Sequence, residues 1–411
     1  MKIPVEFNAL SELPDGWSWQ PLQSLTANPK QDVVDGPFGS NLKASEYVSA
    51  GVPIARLQNI DRNTFVTKNI RFLTPVKAAE LARHEFKPDD ILITKLGDPL
   101  GKACIVPASI GRGVIVADLV RVRPDEKLVD RKYLTYAINS PTLVKQFELH
   151  TKGTTRPRVN LSVLRQLPIP LAPRKIQTDI VAEIEKQFSR LDEAVANLQR
   201  VKANLKRYEK ATIERLTNPE TFEECVSGTI ADVAISLDNM RKPVNKAERA
   251  TRPGNVPYLG ANGQTGWIDA HLFDEEIVLV VEDETFVGRT APFSYYFAEK
   301  CWVNNHTHVL RARPDVVSPK YLNLALSYYP FIPLTTGSTG RRKLTKGALM
   351  VAPIVVPSLV QQERIVSEVE RRLSLTSEVL AEVGKNLQRS EKLRQAVLAT
   401  AFGIQLAQPE H

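Results

Sequence analysis

The chain has 411 residues, of which 54 are Lys or Arg and 46 are Asp or Glu, which gives a net charge of +8. This length exceeds one ordinary hydrophobic core and predicts at least two domains. The excess of basic residues favours an acidic polymer as a partner, because Lys and Arg that neutralise phosphates release counterions, although charge that serves only solubility gives the same composition.

The cysteines Cys104, Cys225 and Cys301 lie far apart and form no C-x-x-C pair. This spacing argues against a disulfide framework and against a cysteine zinc site, and it fits a reducing compartment. Acidic residues interrupt any signal-peptide pattern near the beginning of the sequence, and no uncharged stretch approaches membrane-spanning length. We therefore expect a cytoplasmic protein.

Residues 1–160 have the pattern of a strand-rich domain. A turn at residues 13–17 precedes a loop at 35–40 whose Gly and Pro residues fit neither a regular helix nor a central strand. Strands are predicted at residues 52–57, 90–95, 103–106 and 114–122. Recognition side chains usually lie in loops on such a scaffold. The basic and amide candidates at these loops and strand ends are Lys43, Arg56, Gln58, Asn59, Lys95 and Lys102.

A long helix is predicted for residues 174–217, which contain no Gly and no Pro. Its apolar residues Ile184, Leu191, Leu198 and Leu205 recur at heptad spacing. A second seam follows Ile180, Ala194, Val201 and Tyr208 and is interrupted by Gln187. At about 1.5 Å per residue this helix is roughly 65 Å long, and it must pack on another helix to bury its apolar stripe.

A second strand-rich piece is expected at residues 219–345, with strands at 276–281 and 302–310. Its loops supply the further candidates Asn262, Gln264, Asn304, Asn305 and His306. The closing helix, residues 361–402, has its own stripe through Val366, Leu373, Leu380 and Leu387. Because the two stripes have similar lengths, the helices are predicted to pack on each other. An antiparallel pair would carry one globular piece at each end of a rigid rod.

An internal repeat relates the two halves of the chain. The stretch at residues 151–217 returns about 185 residues later as a polar loop, a Pro-containing apolar run and a long helix. Identical positions include Gln177 with Gln362 and Glu185 with Glu370. The basic residues of the two polar loops are Arg156, Arg341, Arg342 and Lys343. Gly, hydroxyl and basic groups together suit DNA phosphate oxygens, and a solvated basic turn is the alternative interpretation.

Four short motifs give no independent evidence of catalysis. Residues 97–102 are one residue short of a nucleotide phosphate loop, and residues 255–258 depart from the N-P-P-Y motif of adenine methyltransferases. The acidic run at residues 282–284 fits a solvated turn or a site that accepts a cytosine amino group. His306 and His308 alternate on one predicted strand without a third ligand, so we expect no metal site.

Motifs of a known family occur in both halves. They lie at residues 13–17, 35–40 and 97–101 in the first half, and at 256–263, 272–276, 280–283 and 303–311 in the second. With these motifs and its repeat, the chain resembles the specificity subunit of a type I restriction-modification system over nearly its whole length. The resemblance implies an α+β fold with a pseudo-twofold internal repeat. Two target recognition domains, residues 1–160 and 219–345, then alternate with helical regions, 161–218 and 346–411, whose long helices form an antiparallel coiled coil.

The resemblance also implies a function. Each recognition domain of that family reads one half of a split double-stranded DNA target, and the helices set the spacing and dock two modification subunits. Restriction subunits join them to translocate and cut the DNA. S-adenosylmethionine, ATP and magnesium are then expected on those partners, and this chain is expected to be noncatalytic and to bind no cofactor. The alternative is a coiled-coil scaffold that binds nucleic acid without sequence specificity.

The candidates for contact with base edges are Arg56, Gln58, Asn59, Asn262, Gln264, Asn304 and Asn305. Arg pairs well with guanine, and Asn or Gln pairs well with adenine. The loop at residues 36–40 has no counterpart in the second half, and the block at 258–266 has none in the first. This difference predicts an asymmetric target.

Overall fold

The computed structural model describes residues 12–39, 41–97, 99–151, 157–284, 286–337 and 342–402. The chain divides into unit 1, Met1–Asn197 with Asn386–His411, and unit 2, Leu198–Lys385. Each long helix therefore contributes one part to each unit. No helix in these described ranges is both long enough and apolar enough to cross a membrane.

Unit 1 contains twelve strands, five short helices and parts of both long helices. In chain order they are β1 (Ser18–Pro21), α1 (Pro29–Asp32), β2 (Val33–Asp35), β3 (Val52–Ala55), β4 (Ile60–Asp61), β5 (Thr64–Phe65), β6 (Arg71–Leu73), α2 (Pro75–Glu80), β7 (Glu85–Phe86), β8 (Ile91–Thr94), β9 (Ala103–Ile105), β10 (Gly113–Ile115), β11 (Leu119–Val122), α3 (Arg131–Ile138), α4 (Pro141–Leu149), α5 (Leu161–Arg165), β12 (Pro168–Leu171) and the first part of α6 (Arg174–Leu216). These counts refer to the described residues.

The core of unit 1 lies on both faces of one sheet, whose strand order is β2-β11-β8-β9. Ile91 and Ile93 of β8 pack with the helices α3, α4 and α6, whereas the alternate residue Leu92 packs towards the second sheet, β6-β3-β10-β7. Successive side chains of a strand point to opposite faces, so burial on both faces requires a continuous apolar run. The sequence Ile-Leu-Ile-Thr of β8 meets this requirement.

Unit 2 repeats this plan with different residues. After the second part of α6 it contains β13 (Cys225–Thr229), α7 (Ile230–Val233), β14 (Ala234–Ser236), α8 (Lys246–Ala250), β15 (Val256–Gly260), β16 (Gly263–Ile268), β17 (Ile277–Val281), β18 (Asp283–Glu284), β19 (Ser294–Phe297), β20 (Trp302–Val303), β21 (Thr307–Ala312), α9 (Pro319–Ser327), β22 (Arg342–Lys343), α10 (Lys346–Met350), β23 (Pro353–Pro357) and the first part of α11 (Leu359–Ala401).

The central sheet of unit 2 has the order β14-β21-β17-β19, which corresponds to β2-β11-β8-β9. Beside it, β15 pairs in parallel with β20, as β3 pairs in parallel with β10. The expectation that residues 258–266 have no counterpart in the first half is therefore wrong for the strand, because β15 occupies the position of β3. The predicted strands at 52–57, 90–95, 103–106 and 276–281 are confirmed as β3, β8, β9 and β17.

Two predicted strands are broken in the structure. The run at 114–122 forms β10 and β11, and the run at 302–310 forms β20 and most of β21. In each unit the first strand pairs in parallel with β3 or β15, and the second strand belongs to the central sheet. Residues 116–118 and 304–306 carry the chain between the two sheets, and we call these segments the crossovers of unit 1 and unit 2. Sequence alone does not show the breaks because apolar residues occur on both sides of each crossover.

Both long helices are confirmed, and they run antiparallel within each unit. In unit 1, Ile184 and Phe188 of α6 pack with Leu398 of α11, and Asp192 pairs with Arg394. In unit 2, Ile213 of α6 belongs to one cluster with Ile365, Val366 and Val369 of α11. The predicted stripe residues are all buried or half-buried: Ile184, Leu191, Leu198, Leu205, Val366, Leu373, Leu380 and Leu387. The second seam is not packed throughout, since Val201 and Tyr208 are 40% and 46% exposed.

A buried glutamine fastens α6 to the strand-rich part of unit 1. Gln177 is 1% exposed, and its Oε1 accepts a hydrogen bond of 2.8 Å from the backbone N–H of Asp130, the residue that caps α3. Its Nε2 donates to the carbonyl oxygens of Ala172 at 2.8 Å and Leu128 at 3.4 Å. One side chain thus satisfies three backbone groups from the segments before α3 and after β12.

The same contacts recur at Gln362 in unit 2, whose side chain is fully buried. Its Oε1 accepts from the backbone N–H of Ser318, the cap of α9, at 2.8 Å. Its Nε2 donates to the carbonyl oxygens of Val316 and Pro357, each at 2.8 Å. The repeated identity of Gln177 and Gln362 in the sequence therefore reflects one repeated hydrogen-bond geometry.

We expect Gln177→Ala to destabilise unit 1 by about 1–3 kcal/mol, because it leaves the N–H of Asp130 and the carbonyl groups of Ala172 and Leu128 without this partner. Urea unfolding of the full chain measures the loss. Gln199→Ala, at an exposed position of the same helix, is the matched control and should leave unfolding nearly unchanged. Equal midpoints for the two variants would show that Gln177 does not fasten the helix.

Candidate nucleic-acid interface

Each crossover lies beside the end of the parallel strand that precedes it. In unit 1 the N–H of Val116 donates to the carbonyl of Ala55 at 3.1 Å, and in unit 2 the N–H of Asn304 donates to the carbonyl of Leu259 at 3.0 Å. The residues after β3, Arg56 to Gln58, therefore lie beside crossover 116–118. The residues at and after the end of β15, Gly260 to Asn262, lie beside crossover 304–306. We call each pair of segments the crossover surface of its unit.

The described residues that follow the basic polar loops lie at the same surfaces. In unit 1, Leu96 bridges to Arg158 and the N–H of Lys95 donates to the carbonyl of Asp118 at 2.9 Å. In unit 2, Asp283 pairs with Lys343 and the N–H of Glu282 donates to the carbonyl of His306 at 3.1 Å. The crossover, the strand end and the residues that follow the polar loop thus meet in both units.

A groove of about 280 Å³ forms the crossover surface of unit 1. It is lined by Pro37, Gly39, Leu42, Tyr47, Arg56, Leu57, Gln58, Val116, Ala117 and Asp118. The guanidinium carbon of Arg56 lies 6.0 Å from the centre of the Tyr47 ring. One Arg56 nitrogen, Nη2, also donates to the carbonyl of Asn69. These contacts fix the guanidinium beside the exposed side chain of Gln58.

Phe38, between Pro37 and Gly39, is 81% exposed beside this groove. The base of its loop is fixed, because a Cβ at Gly36 would lie 2.0 Å from the carbonyl oxygen of Val116. The backbone N–H of Gly36 also donates to Leu119. Sequence reasoning did not select Phe38, Tyr47 or Asp118. An aromatic residue flanked by Gly and Pro was the available signal for Phe38.

The other candidates in the first half are placed differently. Asn59 is fully buried, and its Nδ2 donates to the carbonyl of Val66 at 2.8 Å, so its assignment to base contact is wrong because the amide is consumed by a turn. Lys95 Nζ lies 2.9 Å from Asp35 Oδ2 beside the crossover. Lys43 is exposed. Lys102 pairs with Asp61 at 3.0 Å and lines a separate cleft next to Phe188, away from Arg56 and Gln58.

In unit 2 the crossover surface carries amides and a histidine. Asn262 is exposed, and its Oδ1 accepts a hydrogen bond of 2.9 Å from Arg289 Nη2. The Oδ1 of Asn304 accepts from the backbone N–H of His306 at 2.9 Å. His306 Nδ1 lies 2.6 Å from Asp283 Oδ1. Arg289 was not among the sequence-based candidates, because its separation from Asn262 along the chain gives no local signal.

The remaining candidates of the second half surround this group. Gln264 and Asn305 are exposed, and Trp267 on β16 is 55% exposed. Arg342 Nη2 donates to the carbonyl of Thr335 at 3.0 Å, and its Nε donates to the Thr335 hydroxyl. Arg156 and Arg341 lie outside the described residues.

The acidic run at 282–284 is not a solvated turn, because Glu282 is 7% exposed and lies within a charged cluster. Its carboxylate contacts Arg241 at 2.6 Å and Lys343 at 3.1 Å. His308, 1% exposed, contacts Asp238 at 2.6 Å through Nδ1. The two histidines therefore do not share one exposed strand face, since His308 lies in β21 and His306 in the crossover. In the described residues no cluster of His, Cys, Asp and Glu could hold a metal ion.

Two carboxyl groups of this cluster have lowered pKa values. Burial alone would raise the pKa of Glu282, but hydrogen bonds from Arg241 and Lys343 lower it below its ordinary value. Burial likewise opposes ionisation of Asp238, and the hydrogen bond to His308 together with nearby positive charge lowers its pKa. Both carboxyl groups are thus held as anions by basic partners.

These features define a class of recognition protein with two strand-rich domains of the same plan. Each domain presents amide and basic side chains at its crossover surface, and each is followed by a long helix. The model for the type I restriction modification DNA specificity domain matches residues 83–207 and 222–384. The chain belongs to this family.

Individual relatives agree with this assignment. The chain is 34% identical over 171 residues to a putative type I restriction enzyme specificity subunit of Haemophilus influenzae, covering 40% of this chain and 43% of that protein. It is 24% identical over 193 residues to the EcoEI specificity subunit of Escherichia coli, covering 46% and 32%. These two alignments span less than half of the relatives' own length. The StySPI specificity subunit of Salmonella potsdam is 21% identical over 427 residues, covering 95% and 89%.

Solved structures share the fold. A chain from a study of complex assembly and conformational transition of the type I R-M system gives a TM-score of 0.65 at 18% identity, covering 96% of this chain and 99% of that one. The HsdS subunit from Thermoanaerobacter tengcongensis gives 0.51 at 17% identity, covering 96% and 98%. These similarities bear on the fold alone.

The lowered pKa values make unit 2 sensitive to acid. Ordinary values for Glu and Asp are 4.5 and 3.8, so the stabilisation is complete above about pH 4.5 and is lost as the pH falls through the lower folded-state values. We expect Glu282→Gln to reduce the change of unfolding free energy between pH 7 and pH 3. Urea unfolding across this range measures it, and Asp315→Asn, at an exposed carboxyl of the same unit, is the control. Identical pH profiles for wild type and Glu282→Gln would contradict the assignment.

Proposed function

We propose that this chain is the sequence-specific DNA-binding subunit of a type I restriction-modification complex, with one half of a bipartite target read by each unit. The observation that carries the proposal is the repeated crossover surface, where the same backbone hydrogen bonds occur in both units with different side chains. A repeated scaffold with variable loops suits recognition of two short sites. Membership in the specificity-domain family supports the same assignment.

Contacts to bases and to phosphates fall to different residues in this proposal. The exposed amides Gln58, Asn262, Gln264 and Asn305 are suited to base edges in the major groove. Lys43, Lys343 and the basic residues of the polar loops supply charge for phosphate oxygens. Such phosphate contacts position the protein on DNA, whereas base contacts select the sequence.

The two half-sites are proposed to differ in sequence. At equivalent positions of the central sheets, Lys95 in unit 1 corresponds to Glu282 in unit 2, because each donates its backbone N–H to the last crossover residue, Asp118 or His306. A basic residue, Lys95, in unit 1 is thus replaced by an acidic residue, Glu282, in unit 2. Its backbone partner changes from the acidic Asp118 to His306. Surfaces of different charge favour different bases, which supports an asymmetric target.

The chain is proposed to be noncatalytic and to act with partner subunits. Modification subunits would carry S-adenosylmethionine and the methyltransferase chemistry, and restriction subunits would carry ATP and magnesium. The long helices offer a docking surface for a modification subunit: Leu375 and Val379, one helical turn apart on α11, are 52% and 46% exposed. Exposed neighbouring apolar side chains favour a protein contact.

The function is tested by sequencing DNA methylation in a host that carries the modification subunit, with and without this chain. We expect a split, non-palindromic methylation motif that disappears when the chain is removed. Methylation that persists without the chain would reject the proposal. Binding to DNA with no sequence preference would instead favour the scaffold interpretation.

Docking is tested by Leu375→Ser combined with Val379→Ser. We expect weaker assembly with the modification subunit, because the two changes remove apolar surface that would be buried on association. Size-exclusion chromatography of the mixed subunits measures the complex. Val76→Ser is the control, since Val76 is 73% exposed but lies outside the long helices. Unchanged assembly of the double variant would place the docking surface elsewhere.

A further inference from the structure

The same side-chain arrangement occurs on both crossover surfaces. The parallel pairing aligns Ile54 of β3 with Val114 and Tyr258 of β15 with Trp302, so Ile54 and Tyr258 are equivalent. Counting the same number of residues forward from each reaches Gln58 in unit 1 and Asn262 in unit 2. Both amides are exposed at the surface that the candidate interface uses.

An arginine holds the oxygen of each amide. In unit 1 the Gln58 amide lies against the Arg56 guanidinium, and with its oxygen turned to the guanidinium it accepts from Nη1 at 3.2 Å and Nη2 at 2.7 Å. This orientation follows from the chemistry, because the opposite one would place the amide N–H₂ against guanidinium N–H groups. In unit 2, Asn262 Oδ1 accepts from Arg289 Nη2 at 2.9 Å.

Each arginine is itself fixed by other groups. Arg56 lies over the Tyr47 ring and donates to the carbonyl of Asn69. Arg289 donates from Nη2 to the carbonyl of Pro292 at 2.8 Å, and its guanidinium carbon lies 5.7 Å from the centre of the Phe293 ring. Each arginine therefore positions its amide. Arg56 is close to Gln58 in the sequence, whereas Arg289 lies 27 residues from Asn262.

The arrangement decides which atoms remain for DNA. A free Asn or Gln reads adenine with both amide atoms, accepting from N6 and donating to N7. Here the amide oxygen already accepts from a guanidinium, and the N–H₂ group has no hydrogen-bond partner among the described residues, so the donor is the group left for DNA. A donor fits the two acceptors of guanine, O6 and N7, or the O4 of thymine. Adenine offers only N7 beside an amino group that faces the donor unfavourably, and cytosine offers only an amino group.

Resting on the proposed DNA recognition, we propose that Gln58 and Asn262 each select a base with a keto oxygen, guanine or thymine, through an N–H₂ group that a neighbouring arginine directs outward. Arg56 and Arg289 are positioning residues in this scheme. The expectation that these amides read adenine is replaced by a keto-base preference at one position in each half-site.

The test uses the assembled complex of this chain with its modification subunit. Binding is measured to a panel of duplexes in which each base pair of the methylation motif is exchanged in turn. For the wild type we expect one keto base in each half-site whose replacement by adenine or cytosine weakens binding about 10- to 100-fold.

Gln58→Glu keeps an oxygen for Arg56 and directs a second acceptor outward in place of the donor. We expect the preference at one position of one half-site to reverse from a keto base to an amino base, with the other half-site unchanged. Asn262→Asp should do the same in the other half-site. Gln199→Glu is the matched control, because Gln199 is an exposed amide on α6 outside both crossover surfaces, and it should leave every base preference unchanged.

Arg289→Met removes the positioning contact and leaves Asn262 intact. The freed amide can turn, so the keto preference at that position should fall towards equal binding of guanine and adenine while the unit 1 half-site stays unchanged. A readout confined to one base position separates this role from general loss of folding, which would weaken binding to every duplex.

Several outcomes would overturn the inference. They are an unchanged preference in both acidic variants, an amino base at the affected wild-type position, and loss of binding to all duplexes by both acidic variants while Gln199→Glu binds normally. Methylation that depends on the chain without any of the expected reversals would reject this inference alone. Methylation that does not depend on the chain would reject the proposed function itself.

Discussion

The hydrogen bonds of one buried glutamine per unit join each strand-rich part to its long helix. Gln177 and Gln362 each bind the N–H of a helix cap and two carbonyl groups from separate segments. Such a network favours one relative position of the helix and the strands, because each buried donor or acceptor left without a partner costs free energy. Surface ion pairs join the same elements further along: Lys132 of α3 pairs with Glu185 of α6, and Lys320 of α9 pairs with Glu370 of α11. These contacts fix α6 against the start of α3 and the end of β12, and α11 against the start of α9 and the end of β23.

The burial of both sheet faces explains where the two units differ. Ile91 to Ile93 and all of Ile277–Val281 are inaccessible to solvent, so substitutions there change packing and cost stability. The crossovers connect two sheets with only three residues each, and none of these side chains is fully buried. Val116 corresponds to Asn304 and Asp118 to His306, with the same backbone hydrogen bonds in both units. One fold can therefore present two different chemical surfaces without a change in its core.

Sequence patterns predicted the features that follow from periodicity. The heptad stripes gave both long helices to within a few residues, and the apolar runs gave β3, β8, β9 and β17. The repeated identities located Gln177 and Gln362, although their role in binding three backbone groups follows only from the fold. Periodicity does not register a change of sheet, so both crossovers were merged into single predicted strands.

The candidate site was less predictable because its contacts join distant parts of the chain. Asn59 has the same local setting as Gln58, yet its amide is buried in a turn. Arg289 holds Asn262 through a contact between residues far apart in sequence. Phe38 and Tyr47 lie at the groove without belonging to any periodic pattern. Residue type alone could select amides and basic side chains, but it could not show which of them retain free donors.

Three of the candidate lysines form ion pairs, and these pairs affect the strength of DNA binding and its selectivity in different ways. Lys95 pairs with Asp35, Lys102 with Asp61 and Lys343 with Glu282. A neighbouring carboxylate offsets part of the attraction that each ammonium would exert on a phosphate, and it also restricts the side chain to one position. Paired cations thus contribute less to nonspecific binding than free ones and discriminate more strongly against misplaced partners. In the proposed recognition, the exposed amides of Gln58 and Asn262, each in contact with an arginine, would supply chemical selection that a diffuse positive surface cannot provide.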